Sequence, residues 1–307
     1  MAVGVALHTG AGRVLAAGET VWVLPSDVSW AYTEAATTLQ SEWRQAARGK
    51  DLVILNAREL PTGPPPVAVV TLGASALRLV MERSDAQADW ARMPVLAALL
   101  PKDGFAAVWK RPPAWVSAAY LDQVVERYLN LIRRTMPRLS KVGVVLREDD
   151  AFPRQAWLKA AQDRGLRLVI GMVGKDGELH GALRNVLAEA EVLLILPDSA
   201  VADVSALQHM LIMAYRQRVP VVGYSPALVK AGAAMGLYAS PQQAGRQAAA
   251  MLKGALSTPT GVLAWPKSRM ADEFTVTINE QVCRSLGLDV PDVAVLTDAL
   301  RREEGMR

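Results

Sequence analysis

Short runs of apolar, mostly β-branched residues alternate along this chain with longer amphipathic segments, and this alternation constrains the fold more than any other feature. The first series of runs comprises residues 21–24, 52–55, 67–71 and a weaker candidate at 94–97. The second series comprises residues 142–146, 166–170, 192–196 and 219–223. Runs that are apolar throughout are typical of strands buried on both faces of a parallel sheet.

Helical patterns occupy the gaps between these runs, for example at residues 28–48, 153–164 and 203–216. Strands and helices in alternation predict βαβ units with right-handed crossovers. Two prolines interrupt the pattern within residues 110–117 (KRPPAWVS). The chain is therefore predicted to form two successive α/β units, two Rossmann-like lobes with parallel central sheets. Its 307 residues agree with about two such units.

Charge and cysteine content exclude several classes of protein. The chain carries 34 basic and 30 acidic residues, a formal net charge of +4, which is too weak a field to indicate nucleic acid or a membrane surface as partner. The single cysteine, Cys283, excludes an intramolecular disulfide framework. With three scattered histidines besides, we expect no metal site.

The two ends of the chain are interpreted separately from the lobes. Residues 1–19 lack the apolar run of a secretory signal, although residues 15–18 (LAAG) resemble the end of a degenerate one. We expect either a degenerate signal or an N-terminal extension there, and a solvated tail at residues 301–307.

Ligands in open α/β sheets bind beyond the carboxyl ends of the strands, where the strand order reverses. This rule selects residues 25–27, 71–75, 197–199 and 224–226. Residues 71–75 (TLGAS) place a glycine and a small hydroxyl residue at a helix start, where backbone N–H groups suit a carboxylate or phosphate. Ordinary N-capping by Ser75 is the alternative.

Other side chains near these loops are candidate ligand contacts. Asp198 is either a helix cap or a carboxylate facing a ligand amine. Trp30 and Tyr32, shortly after Ser26, are the expected aromatic contacts.

Catalytic motifs are nearly absent from the sequence. Residues 223–227 (GYSPA) come close to the G-x-S-x-G nucleophile elbow. A hydrolase of that fold needs a histidine after the nucleophile, whereas His8, His180 and His209 all precede Ser225, so the order of a catalytic triad fails. The sequence contains no G-x-x-x-x-G-K-[ST], no G-x-G-x-x-G after a strand and no H-E-x-x-H. We therefore expect neither an enzyme nor a cofactor.

Several segments occur together in an order and spacing typical of one family: residues 69–76, 94–101, 119–123, 193–198, 214–226, 231–233, 238–247, 279 and 286–288. Through them the chain, from about residue 21 to residue 300, resembles the ABC-transporter substrate-binding proteins. These are periplasmic type I solute binders, a group that includes tryptophan- and phenylalanine-type binders. Residues 100–102 (LPK) lack the acidic residue that follows this strand in the amino-acid binders.

The resemblance implies two α/β lobes, joined by three crossings of the chain, that close on a ligand like a hinge. Residues 20–117 and 236–258 would form the first lobe, and residues 118–235 and 259–300 the second. Carried over residue by residue, it implies that Gly73, Ala74 and Ser75 hold a ligand carboxylate.

The same resemblance assigns positions in and near the second lobe. Asp198 would face the ligand amine, and Tyr224 and Ser225 would line the cleft. Tyr120 and Asp122 would lie beside the first crossing.

The function implied is that of a solute-binding component of an ABC importer, monomeric and periplasmic, with an amino acid as the candidate ligand. Its partners would be a small molecule and a membrane permease, and not nucleic acid. A ligand-sensing subunit of the same fold, which regulates a signalling partner, is the alternative.

Overall fold

The computed structural model describes residues 20–45, 51–55, 60–61, 65–148, 153–174, 179–197, 203–256 and 265–305. The strands within them are β1 (Thr20–Pro25), β2 (Asp51–Ile54), β3 (Ala68–Leu72), β4 (Val95–Leu100), β5 (Val116–Tyr120), β6 (Lys141–Arg147), β7 (Arg167–Val173), β8 (Val192–Leu194), β9 (Val221–Gly223), β10 (Met235–Tyr238) and β11 (Thr275–Ile278). The helices are α1 (Trp30–Arg44), α2 (Ala74–Ala86), α3 (Lys102–Val108), α4 (Val125–Thr135), α5 (Arg154–Gln162), α6 (Leu179–Leu187), α7 (Val204–Arg216), α8 (Pro226–Ala231), α9 (Pro241–Leu256), α10 (Glu280–Ser285) and α11 (Val293–Glu303).

The first sheet has the strand order β2-β1-β3-β4-β5, and every neighbouring pair is parallel. Helix α1 connects β1 to β2 on one side, while the chain continues from β3 to β4 and β5 on the other. The strand order therefore reverses between β1 and β3, whose register pairs Val23 with Val70. This is the position at which ligand sites form in such sheets.

The second sheet has the order β11-β10-β9-β8-β6-β7. All of its pairs are parallel except β10 with β11. Strand order reverses here between β6 and β8. The two sheets confirm the predicted α/β fold with two mostly parallel, helix-flanked layers.

The central strands of each sheet are buried on both faces, as the continuous apolar runs predict. In β1, Val21 and Val23 pack on one face, with α1 and α9, while Trp22 and Leu24 pack on the other, towards α2. In β6, the side chain of Val145 points to the sheet face opposite that of the residues on either side of it. There it packs against α6 and α7. Burial on both faces explains why these strands lack an alternating polar pattern.

Helix α9 comes late in the sequence but completes the core of the first sheet. Its residues Ala248 and Leu252 are buried with Leu39 of α1. The two helices approach closely at Gly245, where an added Cβ would lie 2.5 Å from the carbonyl oxygen of Ala35. Nothing in the local pattern of α9 indicates this distant partner.

The junction between the sheets differs from the sequence-based boundary at residue 117. Strand β5 pairs with β4 and extends the first sheet to Tyr120, so the boundary at 117 falls inside a strand. Strand β10 belongs to the second sheet, although residues 236–258 were expected in the first lobe. Only from α9 onwards does that segment pack on the first sheet, because the chain crosses between Tyr238 and Pro241.

Candidate functional site

The loops after β1 and β3 meet at the reversal point of the first sheet. The Ser26 backbone N–H donates to the Leu72 carbonyl at 2.9 Å, which fixes one loop against the other. The Ser26 hydroxyl accepts from the Ala76 N–H of α2 at 3.0 Å. Ser26 therefore caps a helix that begins about fifty residues later in the chain.

Tyr32 covers the same point from α1. A Cβ added to Gly73 would lie 2.7 Å from both the Ser26 hydroxyl and the Tyr32 hydroxyl. Gly73 also has φ of +87°, a backbone conformation that side chains disfavour. Burial raises the pKa of Tyr32, the Asp27 carboxylate raises it further, and a hydrogen bond with Ser26 opposes both effects. Ser26, Tyr32 and Gly73 thus interlock into one rigid surface.

The first turn of α2 leaves two backbone donors for a ligand. Gly73 is the N-cap, and its own N–H donates to the Ala98 carbonyl at 2.8 Å. The Ala76 N–H is taken by Ser26. The N–H groups of Ala74 and Ser75 have no acceptor within the helix, because the first turn of a helix supplies none. Ser75 lies inside the helix and is exposed, so the N-capping alternative for it is wrong.

We call Ser26, Tyr32, Gly73, Ala74 and Ser75 the first-lobe edge. Trp30 lies beside this set, at the start of α1, with 66% of its surface exposed. The edge offers two N–H donors at a helix N-terminus, with aromatic rings nearby. Such a surface suits an anionic group attached to an apolar body.

Of the two acids expected in the site, Asp122 lies within the described residues, in the first crossing. The Asp122 carboxylate accepts from the Lys102 N–H at 2.7 Å, at the N-terminus of α3. Burial raises the pKa of Asp122 to about 6, with a further increase from Asp103, while its hydrogen bond to Lys102 opposes the change. Asp122, two residues after the end of β5, therefore places a carboxylate beside residues 100–102.

Tyr120 ends β5 and packs edge-on against Phe105, with ring centroids 5.8 Å apart. Tyr120 therefore packs against α3, the same helix whose N-terminus hydrogen-bonds to Asp122.

Tyr224 and Ser225 follow β9 at the carboxyl edge of the second sheet. The Ser225 hydroxyl accepts from the Leu228 N–H at 3.3 Å and so caps α8. Tyr224 is half-buried, and burial raises the pKa of its phenol. Tyr128 of α4 is fully buried, which raises its pKa, and the charges of Asp122 and Tyr224 raise it further.

The expected site residues therefore fall into three groups. The first-lobe edge is one contiguous cluster with Trp30 beside it, Tyr120 and Asp122 flank α3, and Tyr224 and Ser225 lie on the second sheet. Asp198 lies outside the described residues.

The sequence interpretation missed the polar side chains that hold the crossings together. The chain crosses between the sheets at residues 121–124, at residues 239–240 and again before β11. The third crossing runs beside β5, where the Arg269 N–H donates to Ala118 and the Tyr120 N–H donates to Arg269. Four buried side chains bind these segments to one another: Gln123, Arg127, Gln243 and Gln247. We call these four residues the crossing network.

Arg127 is the centre of the crossing network. Its guanidinium donates to the carbonyls of Ala271 and Asp272 at 2.7 and 2.8 Å, to Gln123 at 2.7 Å, and to the Glu304 carboxylate at 2.6 Å. It also lies 5.0 Å from the ring centroid of Phe274. All of these groups belong to the first and third crossings or to the end of α11.

Gln243 and Gln247 bind the third crossing to α9. The Gln243 amide donates to the Phe274 carbonyl at 2.9 Å, and its oxygen accepts from the Ser240 N–H at 2.7 Å. The Ser240 hydroxyl accepts from the Gln243 N–H in return. This is a capping box, and the S-P-Q-Q sequence of residues 240–243 is the signal that predicts it.

Among the described residues, no group of three or more His, Cys, Asp or Glu side chains is arranged to hold a metal ion. Of the helices in the described ranges, none is long and apolar enough to cross a bilayer.

Comparison with known proteins gives one family match and many similar folds. The family described as ABC transporter substrate binding protein matches residues 105–301, more than half of the chain. No curated protein matches the chain. A conserved domain protein from Vibrio cholerae is 20% identical, with a TM-score of 0.59, and the match covers 91% of this chain and 97% of that one.

Two other solved structures have comparable similarity. An ABC domain in complex with L-Trp from Streptococcus pneumonia is 14% identical, with a TM-score of 0.58 and coverage of 90% of this chain and 98% of that one. The ligand-free, open structure of a substrate-binding protein with adhesive properties from Clostridium difficile is 17% identical, with a TM-score of 0.62 and coverage of 89% and 96%. At these identities the structures show a shared fold, that of the type I periplasmic binding proteins.

Proposed function

The chain belongs to the ABC transporter substrate-binding protein family, and from this premise we propose that it captures a small solute between its two lobes and delivers it to a membrane permease. The family binds substrates and does not convert them, in agreement with the expectation that the chain is not an enzyme. Proteins of this family typically work in the periplasm or outside the cell. We propose a periplasmic site of action for this chain.

The observation that carries the proposal is the first-lobe edge. The Ala74 and Ser75 N–H groups stand at a helix N-terminus on a frame fixed by Ser26, Tyr32 and Gly73. Preorganised donors of this kind bind a carboxylate without first having to be ordered. We propose that this edge holds the carboxylate of an α-amino acid.

The amine of the ligand would be held by a carboxylate. Asp122 lies in the first crossing between the lobes, and we propose it as a partner of the ammonium group together with Asp198. Trp30 would cover the apolar part of the ligand, because its ring is exposed beside the edge. Tyr224 would approach from the second lobe when the lobes close.

Closure follows from how the ligand is shared between lobes. Donors on the first sheet and side chains on the second contact one solute together only in the shut form, so the ligand stabilises that form. The three crossings would serve as the hinge.

Ligand chemistry can be tested with matched compounds. We expect one amino acid in a thermal-shift panel to raise Tm, and its decarboxylated amine and its deaminated acid to bind at least about tenfold more weakly, or about 1.4 kcal/mol. Tryptophan, tryptamine and indole-3-propionate form one such set. The amino-acid proposal is wrong if no member of the panel raises Tm.

A backbone substitution tests the edge itself. Proline is tolerated at the first position of a helix but has no N–H, so Ala74→Pro removes one donor and leaves the helix intact. We expect at least about a tenfold loss of affinity for the amino acid and little change for its decarboxylated amine. Equal losses for both compounds would show that the carboxylate does not bind at Ala74.

A further inference from the structure

Helices α6 and α7 lie side by side on one face of the second sheet, where their residues Leu183, Val186, Met210 and Leu211 share a buried apolar cluster. Each helix follows a parallel strand, α6 after β7 and α7 after β8. Their N-terminal ends therefore lie at the carboxyl edge of the sheet. An open depression of about 560 Å³ lies between them.

Two histidines meet in that depression. His180 Nδ1 and His209 Nε2 are 2.9 Å apart and share a hydrogen bond, with ring planes inclined by 37° and centroids 5.2 Å apart. Both side chains are exposed. The whole chain has three histidines, and the third, His8, lies outside the described residues. Two of three histidines on separate helices thus direct ring nitrogens at each other. We call them the histidine pair.

We propose that the histidine pair is a binding site for a divalent transition metal, of the class of Cu²⁺ or Ni²⁺. A hydrogen bond between two neutral imidazoles holds one proton between two nitrogen atoms. A metal ion can replace that proton, because imidazole nitrogen is a ligand for Cu²⁺, Ni²⁺ and Zn²⁺. Both side chains are exposed, so the rings can turn to direct these nitrogens at one metal ion.

The separation of the nitrogens selects the class of metal. With metal–nitrogen distances of about 2.0–2.1 Å, two nitrogens 2.9 Å apart subtend an angle of about 90° at the metal. That is the angle between neighbouring ligands in square-planar and octahedral coordination, which Cu²⁺ and Ni²⁺ adopt. Tetrahedral Zn²⁺ needs the nitrogens about 3.3 Å apart. The observed separation of 2.9 Å is therefore closer to the spacing of the former metals.

Other groups of the depression act on a bound cation. Among the described residues, no further His, Cys, Asp or Glu side chain completes the pair into a cluster of three. Arg184 and Ser205 also line the depression. The positive charge of Arg184 opposes a cation, while the Asp203 carboxylate, which caps α7 and binds Ser205, favours one.

The test is titration of the full-length chain, without a histidine tag, with NiCl₂ in a calorimeter. We expect one equivalent of Ni²⁺ to bind to the natural protein. His180→Ala and His209→Ala should each weaken binding at least about tenfold. His8→Ala is the matched control and should retain it. Both histidines of the pair are exposed, so circular dichroism should show the variants folded.

The outcomes separate a metal site from a simple contact between rings. Copper EPR of the natural protein should show nitrogen coupling from two imidazoles, reduced to one or none in either single variant. Zn²⁺ should bind more weakly than Ni²⁺ because of the 90° angle. Absence of a calorimetric signal with Ni²⁺, or affinity unchanged in His180→Ala or His209→Ala, would overturn the proposal and leave the pair as an ordinary hydrogen bond.

Discussion

The first-lobe edge and the crossing network are both polar regions in a largely apolar fold, and they use their polar groups in opposite ways. In the crossing network, Arg127 directs its donors to protein carbonyls, an amide and a carboxylate. At the first-lobe edge, the contacts of Ser26 and Tyr32 fix a frame on which the Ala74 and Ser75 N–H groups have no helical acceptor. Saturated donors hold a structure together, whereas donors left open on a rigid frame can hold a ligand. The following four predictions test this contrast.

The largest effect is expected at the centre of the crossing network. Arg127→Ala leaves the Glu304 carboxylate and two carbonyls without their donor, so we expect the free energy of unfolding to fall by about 4 kcal/mol in urea denaturation. Arg134→Ala is the matched control, because Arg134 pairs with the neighbouring Glu303 across the same two helices but is exposed. It should cost less than about 1 kcal/mol. Equal losses would show that burial of the network is unimportant.

A smaller loss is expected at the first-lobe edge. In Gly73→Ala the new methyl group would lie 2.7 Å from Ser26 and Tyr32, and an alanine would be strained at the φ of +87° found there. For both reasons the free energy of unfolding should fall by about 3 kcal/mol. Gly287 has φ of +70° but open space around it, and Gly287→Ala should cost about 1 kcal/mol. The variant at Gly73 should also lose the ligand-induced rise in Tm. A similar cost at both glycines would mean that the edge is not interlocked.

Asp122 lies in the first crossing, next to Gln123 of the crossing network, and should make the stability of the protein depend on pH. Its pKa is about 6 in the folded protein against an ordinary 3.8, so between about pH 4 and pH 6 the folded chain holds a proton that the unfolded chain releases. This group therefore makes stability fall as pH rises through that window, by on the order of 2 kcal/mol, with the full penalty present above pH 6.

Asp122→Asn should remove that slope, which is the fall of stability with rising pH, and should raise the free energy of unfolding at pH 7. Urea denaturation at several pH values would show both effects. Asp163→Asn changes an exposed carboxylate of α5 and should leave the slope in place. A slope that persists in Asp122→Asn would assign the titration to another group.

The smallest effect is expected at the carboxyl edge of the second sheet. Ser225→Ala removes one cap of a short helix, so we expect a loss of about 1 kcal/mol in the free energy of unfolding. Ser285→Ala, at an exposed hydroxyl, should cost less than about 0.5 kcal/mol. A loss at Ser225 as large as that at Gly73 would show that the second edge is interlocked like the first.

Local patterns predicted most of the strands but not the junction of the sheets. The apolar runs from residue 21 and from residue 142 became β1 and β6, and the prediction of a helix at 203–216 became α7. Strand β5 was missed because two prolines precede it, and β10 because it is short and contains Gly236. Such strands exist through their pairing, which a single window does not contain.

The candidate site was predictable where a general rule applies to one loop. The rule for carboxyl ends of strands selected Ser26, and the glycine with small residues selected Gly73. The crossing network was not predictable in this way, because Arg127 meets Ala271 and Asp272, which lie far along the chain. The contact between Asp122 and the start of α3 likewise depends on the pairing of β4 with β5.

The late position of α9 in the sequence has a consequence for synthesis of the protein. The apolar side of α1, with Leu39 and Trp43, is covered by α9, so a growing chain exposes it until about residue 256 has left the ribosome. The second sheet likewise lacks its edge strand until β11 has been synthesised. Neither lobe is complete before the last third of translation, and we expect a nascent chain halted after β9 to bind a chaperone through the uncovered face of α1.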